Sequence, residues 1–399
     1  MSDSDIKKLV GESLAEIVEA AKSGGPKVRI GLMAAGSELG SEELAKGAKM
    51  ALEMYGNVRP VMIGPRIPGF EDLDWIETGP SDSSGAADVQ EAGACEADIS
   101  AALEKALEDQ RIDGAVALHF PFPLGVTTIG RVVTPAKGRP MILASTTGTS
   151  ATNRGEAMLR NAVYGIAAAK ALGMTDPTLG ILNVDTAQPV FRALSRMARR
   201  GYGVKFGASV RKDGGAVLRG NDVLAGAVDI CVTDTLTGNV LVKMFSSFNT
   251  GGSYEATGWG YGPSCGEKWG KVVSIISRAS GAPVIAGALT FTAAVVAGGL
   301  PAKVASELAA ARKAGLDEEI AALTPKGEPE NEAVKTPPPE PTDEELHGVD
   351  VLEIENAVKV LWKAGIYAES AMGCTGPVVK LAVRNAEKGK SVLRENGYL

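Results

Sequence analysis

The sequence predicts an α/β protein: three layers, α/β/α, around a mainly parallel sheet. Short apolar runs of strand length alternate with helical patterns of about 10–20 residues, the rhythm of parallel strands joined by crossover helices. Runs such as Gly114-Ala115-Val116-Ala117-Leu118 lack the polar alternation of a half-solvated strand, as expected for strands covered on both faces. Glycine is abundant (49 of 399) and aromatic residues are few (5%), a balance suited to many tight turns.

Taken in order, residues 6–21 have helical spacing and Gly24-Gly25-Pro26 stops them. Residues 28–33 read as a buried strand followed by a small-residue loop, 34–40. Ser41 with Glu42 and Glu43 then opens a helix to about Tyr55. Val61-Met62-Ile63 reads as a strand, 71–96 as an irregular acidic stretch, 99–110 as a helix and 114–118 as a strand. A strand is expected at 140–144, then a polar loop and a helix at 156–172. Strand 179–184, helix 189–200 and strand 228–233 follow. After a Gly-rich stretch to Gly266, the pattern suggests a helix to Arg278 and a strand at 283–286.

Composition bounds the function. A length of 399 residues and 45% hydrophobic content support substantial cores. A net charge of -7 argues against nucleic acid or an anionic membrane as partner. Cys95, Cys231, Cys265 and Cys374 are scattered, no Cys-x-x-Cys occurs, and only His119 and His347 offer imidazole, so no metal site is expected. The acidic start Met1-Ser2-Asp3-Ser4-Asp5 is unlike a signal peptide, and no apolar run is long enough to span a bilayer. A reduced, cytoplasmic protein is expected.

Residues 324–345 are rich in proline and acidic side chains and nearly devoid of apolar ones, the composition of a linker or surface excursion. They divide a main body of one or two lobes, 1–323, from a C-terminal segment, 346–399, which is too short for a strong core of its own and is expected to pack back on the body.

Three polar segments fall where strands should end, which is where open parallel sheets bind ligands. The first, 146–154, contains Thr147, Gly148, Thr149 and Arg154, suited to an oxyanion or phosphate. Its plainer reading is an N-capping loop with an exposed arginine. The second, with Asp234, Thr237, Gly238 and Asn239, reads as a polar turn between strand and helix, again either an anion site or a cap. The third is Asn183-Val184-Asp185-Thr186, more simply a capping turn. His119 is a strand-end histidine that can also serve as a base or substrate contact. The glycine run 251–262, with Tyr254, Trp259 and Tyr261, reads as a partner-facing surface or a lid.

Cys374 is the candidate nucleophile. The flanking Gly373 and Gly376 give it little cover, Gly373, Thr375 and Gly376 are candidates to hold the phosphate or acyl group, and Pro377 suits the first turn of a helix whose N-terminal end would favour the thiolate. The plainer alternative is a small buried cysteine in a Gly-rich turn.

Residues 226–234, Gly-Ala-Val-Asp-Ile-Cys-Val-Thr-Asp, followed by Thr237-Gly238-Asn239-Val240-Leu241-Val242-Lys243, resemble the central motif of PlsX-type acyl-carrier-protein:phosphate acyltransferases; Gly180-Ile181-Leu182-Asn183-Val184 fits that family too. Gly373-Cys374-Thr375-Gly376-Pro377-Val378-Val379-Lys380 stands in place of a Gly-rich loop that has no cysteine in those enzymes. With Glu369-Ser370 before it, this ending resembles the α subunit of component C of the glycine/sarcosine/betaine reductase complex. That resemblance implies a PlsX-like or phosphotransacetylase-like fold. It also implies an acetyl thioester at Cys374 cleaved by inorganic phosphate to release acetyl phosphate, no cofactor, and a β subunit and other reductase components as partners. The alternatives are an acyl-carrier-protein:phosphate acyltransferase that does not need Cys374, and a non-catalytic scaffold subunit. The amine served by the complex would be chosen by other subunits.

Overall fold

In the computed structural model, which describes residues 27–78, 89–211, 214–324, 334–349, 353–373 and 376–399, the first apolar run forms β1 (Val28–Met33), parallel to both β2 (Val58–Gly64) and β4 (Gly114–Ala117). β3 (Asp74–Glu77) and β12 (Val273–Ile275) extend this parallel array at its two sides. A second parallel array contains β6 (Pro140–Thr149), β10 (Ile230–Val232) and β7 (Thr178–Leu182), with β8 (Lys205–Phe206) and β9 (Val217–Leu218) both on β7. Between the arrays stand β5 (Val126–Val133) and β11 (Gly262–Gly266), paired antiparallel to their neighbours. The sheet order is β3-β2-β1-β4-β12-β11-β5-β6-β10-β7-β8. Three successive reversals, β12 to β11 to β5 to β6, leave the second array running opposite to the first.

Strand alternation shows that both faces of this sheet are buried. Ile142, Ala144, Ile230 and Val232 enter one core, while Met141, Leu143 and Cys231 enter the other. The helix Ala282–Ala297 serves both, giving Ile285 and Leu289 to one and Phe291 and Val295 to the second. It lies so close to the helix Ser41–Met54 that a Cβ at Gly47 would stand 2.5 Å from the Cβ of Ile285. Mixed α/β architecture with helices on both sheet faces is thus as the sequence predicts, with the antiparallel insert as an addition.

Several elements differ from expectation. The helix expected at 99–110 starts ten residues earlier, Val89–Glu108, inside the stretch read as irregular. β5 has no counterpart in the sequence reading. The segment around Val273 is a strand, and 283–286 lies in a helix, the reverse of the expected assignment. Pro283 sits in the first turn of that helix, where its missing N–H costs nothing, and burial all round erases the amphipathic signal that marks a surface helix. The helix read at 6–21 lies outside the described residues.

The C-terminal residues form a smaller unit: β13 (Glu344–Leu346), β15 (Gly376–Leu381) and β14 (Ala368–Gly373) in one antiparallel sheet. Leu346, Val358, Leu361, Val379, Leu381 and Leu393 pack into a core distinct from the two above. Glu344 and Glu345, placed in the linker by composition, are strand residues opposite Leu381 and Lys380.

Candidate active site

The carboxyl ends of β6, β10 and β7 lie side by side, so the three polar segments share one edge of the sheet. β6 does not end where its apolar run ends. It continues to Thr149, and its register with β5 shifts: Ile129 pairs Ala144, yet Thr128 pairs Thr147. Ser145 and Thr146 are the extra residues of this bulge, the kind of irregularity that re-aims side chains beside functional sites. Ser145 Oγ lies 2.8 Å from Thr235 Oγ1, and Thr146 Oγ1 donates to the carbonyl of Tyr261 at 2.5 Å. The Thr147–Thr149 stretch is therefore strand rather than loop. Gly148 has φ +78° and no room for a Cβ, which would meet Val126 O at 2.5 Å.

Opposite the bulge, the helix Thr235–Ser247 begins directly after β10, so Gly238 and Asn239 lie within a helix and not in a turn. Asp234 caps that helix, accepting from Thr237 N at 3.0 Å and Thr237 Oγ1 at 2.6 Å. Asn239 Nδ2 donates to the carbonyl of Thr146 at 3.0 Å, tying the helix to the bulge. Arg154 pairs with Asp185 at 3.2 Å in an exposed contact of small energetic weight, linking the first and third segments. Asn153, one residue earlier, caps the helix Arg154–Ala171 by accepting from Glu156 N.

A cavity of about 490 Å³ adjoins this edge, lined by Ser150, Thr152, Arg160, Tyr164, Glu267 and Trp269 among others. Arg160 is held between Glu156 (2.8 Å) and Glu267 (3.3 Å). Burial pushes the Tyr164 phenol up to about 12, keeping it a neutral donor. Sequence reasoning missed this cavity because β5 and β11, which carry its other wall, were not recognised.

A second polar cluster lies at the carboxyl ends of β1, β4 and β12. The chain winds outward from β1 to β2 and β3, while β4 lies on the other side, so β1 and β4 flank a topological switch point. Arg278 forms a two-pronged ion pair with Glu96 (2.9 and 2.8 Å) and its carbonyl accepts from Glu38 N at 2.8 Å. Half-buried His119 follows β4. Burial lowers its pKa, against the pull of Glu96 and of Glu345 on β13, while Arg278 reinforces the lowering. Both readings of His119, a satisfied strand-end histidine and a base or substrate contact, are compatible with this half-buried position. The small-residue loop 34–40 after a buried strand was the available sequence signal.

Cys374 and Thr375 lie outside the described residues. The flanking Gly373 and Gly376 face each other across β14 and β15. Pro377 is a strand residue opposite Met372, so the helix start expected there is absent. It sits where β15 is flanked by β14 alone, the placement in a sheet that tolerates a missing N–H. Upstream, Ser370 Oγ donates to Glu355 at 2.7 Å, and the Glu369 carboxylate accepts from the Tyr367 hydroxyl.

In the glycine run Tyr254 is exposed, Trp259 half-buried and Tyr261 buried. Tyr261 is buried with its hydroxyl on Glu255 (3.1 Å), and Trp259 stacks on Arg131, its ring 4.3 Å from the guanidinium. Only the tip around Gly251, Gly252 and Tyr254 is exposed. Cys231 and Cys265 are buried and free, and burial raises both thiol pKa values, that of Cys231 to about 12. Among the described residues no group of three His, Cys, Asp or Glu is placed to hold a metal, and no single helix is long and apolar enough to cross a membrane.

A family profile described as "Fatty acid synthesis protein" matches residues 82–380. The "Glycine/sarcosine/betaine reductase complex component C subunit alpha" of Peptoclostridium acidaminophilum is 45% identical over 99% of this chain and 100% of its own length. The chain belongs to this family. A "Phosphate acyltransferase" of Fervidobacterium nodosum is 32% identical over 24% of this chain and 28% of its own. Among solved structures, a branched-chain phosphotransacylase from Enterococcus faecalis aligns with 67% of this chain and 99% of its own at 15% identity and a TM-score of 0.43.

Proposed function

We propose that this protein is the acyl-transferring α subunit of a glycine/sarcosine/betaine reductase complex, forming acetyl phosphate from an acetyl thioester at Cys374 and inorganic phosphate. The observation that carries the reading is near-full-length identity with a component C α subunit, together with Gly373-Cys374-Thr375-Gly376 in this chain. In the step proposed, an oxygen of hydrogen phosphate attacks the thioester carbonyl, a C–O bond forms and the C–S bond breaks. The sulfur leaves as thiolate and takes up the proton that phosphate loses. The products are acetyl phosphate and the free thiol, and the step as written consumes no cofactor.

Phosphate is assigned to the edge where Thr147, Gly148, Thr149 and Arg154 meet Asp234, Thr237, Gly238 and Asn239. The backbone of the β6 bulge and the Arg154 guanidinium supply the donors. Asp234 and Thr237 act through the helix cap, and Asn239 by holding the bulge. A β subunit delivers the acetyl group, and the assembly is cytoplasmic.

The test is arsenate-dependent hydrolysis of acetyl phosphate by the purified chain and its Cys374→Ser variant, with intact-mass detection of an acetylated protein. Turnover and acetylation that vanish together in the variant support the reading. Turnover that survives the substitution points instead to an acyl-carrier-protein:phosphate acyltransferase. No turnover in the wild type, alone or with its β subunit, leaves a scaffold.

A further inference from the structure

The helix Arg154–Ala171 carries Glu156, Arg160 and Tyr164 at a spacing of four, so the three stand on one face. That face walls the cavity of about 490 Å³, a volume suited to a small organic molecule. Pro123, Leu124 and Trp269 supply the apolar side. The indole N–H of Trp269 is already spent on Ser264 Oγ at 2.8 Å, which leaves its ring for apolar contact. None of the residues assigned above to phosphate lines this cavity, and neither does any residue of the helix Thr235–Ser247. It is a site of its own, and the chemistry written for Cys374 leaves it unused.

The polar lining is arranged to donate. Arg160 spends Nε on Glu156 and Nη1 on Glu267, which fixes the guanidinium plane and leaves Nη2 outside both bonds. The Tyr164 hydroxyl lies beside that guanidinium and, only 1% exposed, is kept neutral by burial, so it has a proton to donate. Lys268 adds an ammonium. Ser150 donates to Asn161 Oδ1 at 2.7 Å, and the Nδ2 of that asparagine is buried with no acceptor among the described residues. Buried donors in native proteins are nearly always paired, so this wall is short of an acceptor. Glu156 and Glu267 also face the cavity, and a multiply charged anion such as phosphate would meet them as like charges. A single carboxylate on an apolar body satisfies both sides of the lining.

We infer that this cavity binds an organic monocarboxylate, its carboxylate at Arg160, Tyr164 and Lys268 and its apolar body against Trp269, Leu124 and Pro123. Isothermal titration of the full-length chain with phenylacetate and with cyclohexanecarboxylate tests this. One site with a Kd tighter than about 1 mM is expected for at least one of the two acids. The uncharged phenylacetamide should bind about tenfold more weakly than phenylacetate, or worse. Tyr164→Phe should weaken the acid about tenfold, the loss of one hydrogen bond to a charged group. Leu124→Glu, at a position 39% exposed, sets a like charge in the lining and should abolish binding with unchanged far-UV circular dichroism, whereas Met54→Glu on another surface should bind as the wild type does. No heat from either acid at about 10 mM overturns the inference. So does an amide that binds as tightly as its acid, inorganic phosphate that displaces the acid at equal strength, or an acid indifferent to both Tyr164→Phe and Leu124→Glu.

Discussion

A Cβ placed on Gly238 would stand 1.8 Å from the carbonyl oxygen of Ser145. The helix after β10 thus rests directly on the backbone of the β6 bulge, and only glycine allows that approach. The Ser145–Thr235 and Asn239–Thr146 hydrogen bonds lie on either side of the contact.

Gly238→Ala should therefore push helix and bulge apart. The expected cost is about 1–3 kcal/mol, as for an overpacked core. Phosphate-dependent turnover should fall further than stability does. Urea unfolding alongside kinetics of the same preparation checks both.

Asn239→Ala removes the amide that holds the Thr146 carbonyl. The expected signature is a raised KM for phosphate with acylation of Cys374 unaffected, and a stability loss of about 1 kcal/mol. Asn239→Asp should be worse, since a carboxylate cannot donate to a carbonyl.

Glu255 is buried on Tyr261 and Ser280, and burial raises its pKa above the ordinary 4.5. Between 4.5 and the raised value the folded chain holds more protons than the unfolded one. Stability from this site therefore falls as pH rises through that window. Glu255→Gln should flatten this part of the stability profile and leave the protein at least as stable at pH 7. Denaturant midpoints between pH 4.5 and 7.5 would reveal the opposite trend if the carboxylate were instead stabilised as an anion.

His119 shifts the other way. Its folded pKa lies below the ordinary 6.5, so as pH drops through 6.5 the unfolded chain takes up a proton first and stability declines. Proton NMR of the imidazole should show the neutral ring persisting below pH 6.5. His119→Gln should lose less stability than wild type between pH 7 and 5.5. A midpoint above 6.5 would mean that Glu96 and Glu345 outweigh burial.

Much of the fold was legible because local chemistry and burial agreed. Residues 28–33 and 114–118 are strands, and Ser41, Asn153 and Asp234 lie at or beside helix starts, where their type places them. The three polar segments were found from strand-end position alone, and the fold sets them on adjacent strands. Sequence offered a cap or an anion site at Asp234 and Thr237 without choosing between them, and could not show that Asn239 faces a backbone carbonyl. Those facts depend on partners 90 or more residues away only for Asn239, and on helix phase for the others.

By itself the sequence determined the α/β class and placed three polar segments at strand ends, because periodicity and strand-end chemistry are local properties. Only the tertiary structure decided the rest. Burial turned 283–286 into helix, and the β5 and β11 insertion reversed one parallel array against the other and built the cavity wall at Trp269. Neither outcome is written in neighbouring residues: each depends on long-range pairing, such as Val126 with Thr149 and Cys265 with Thr127.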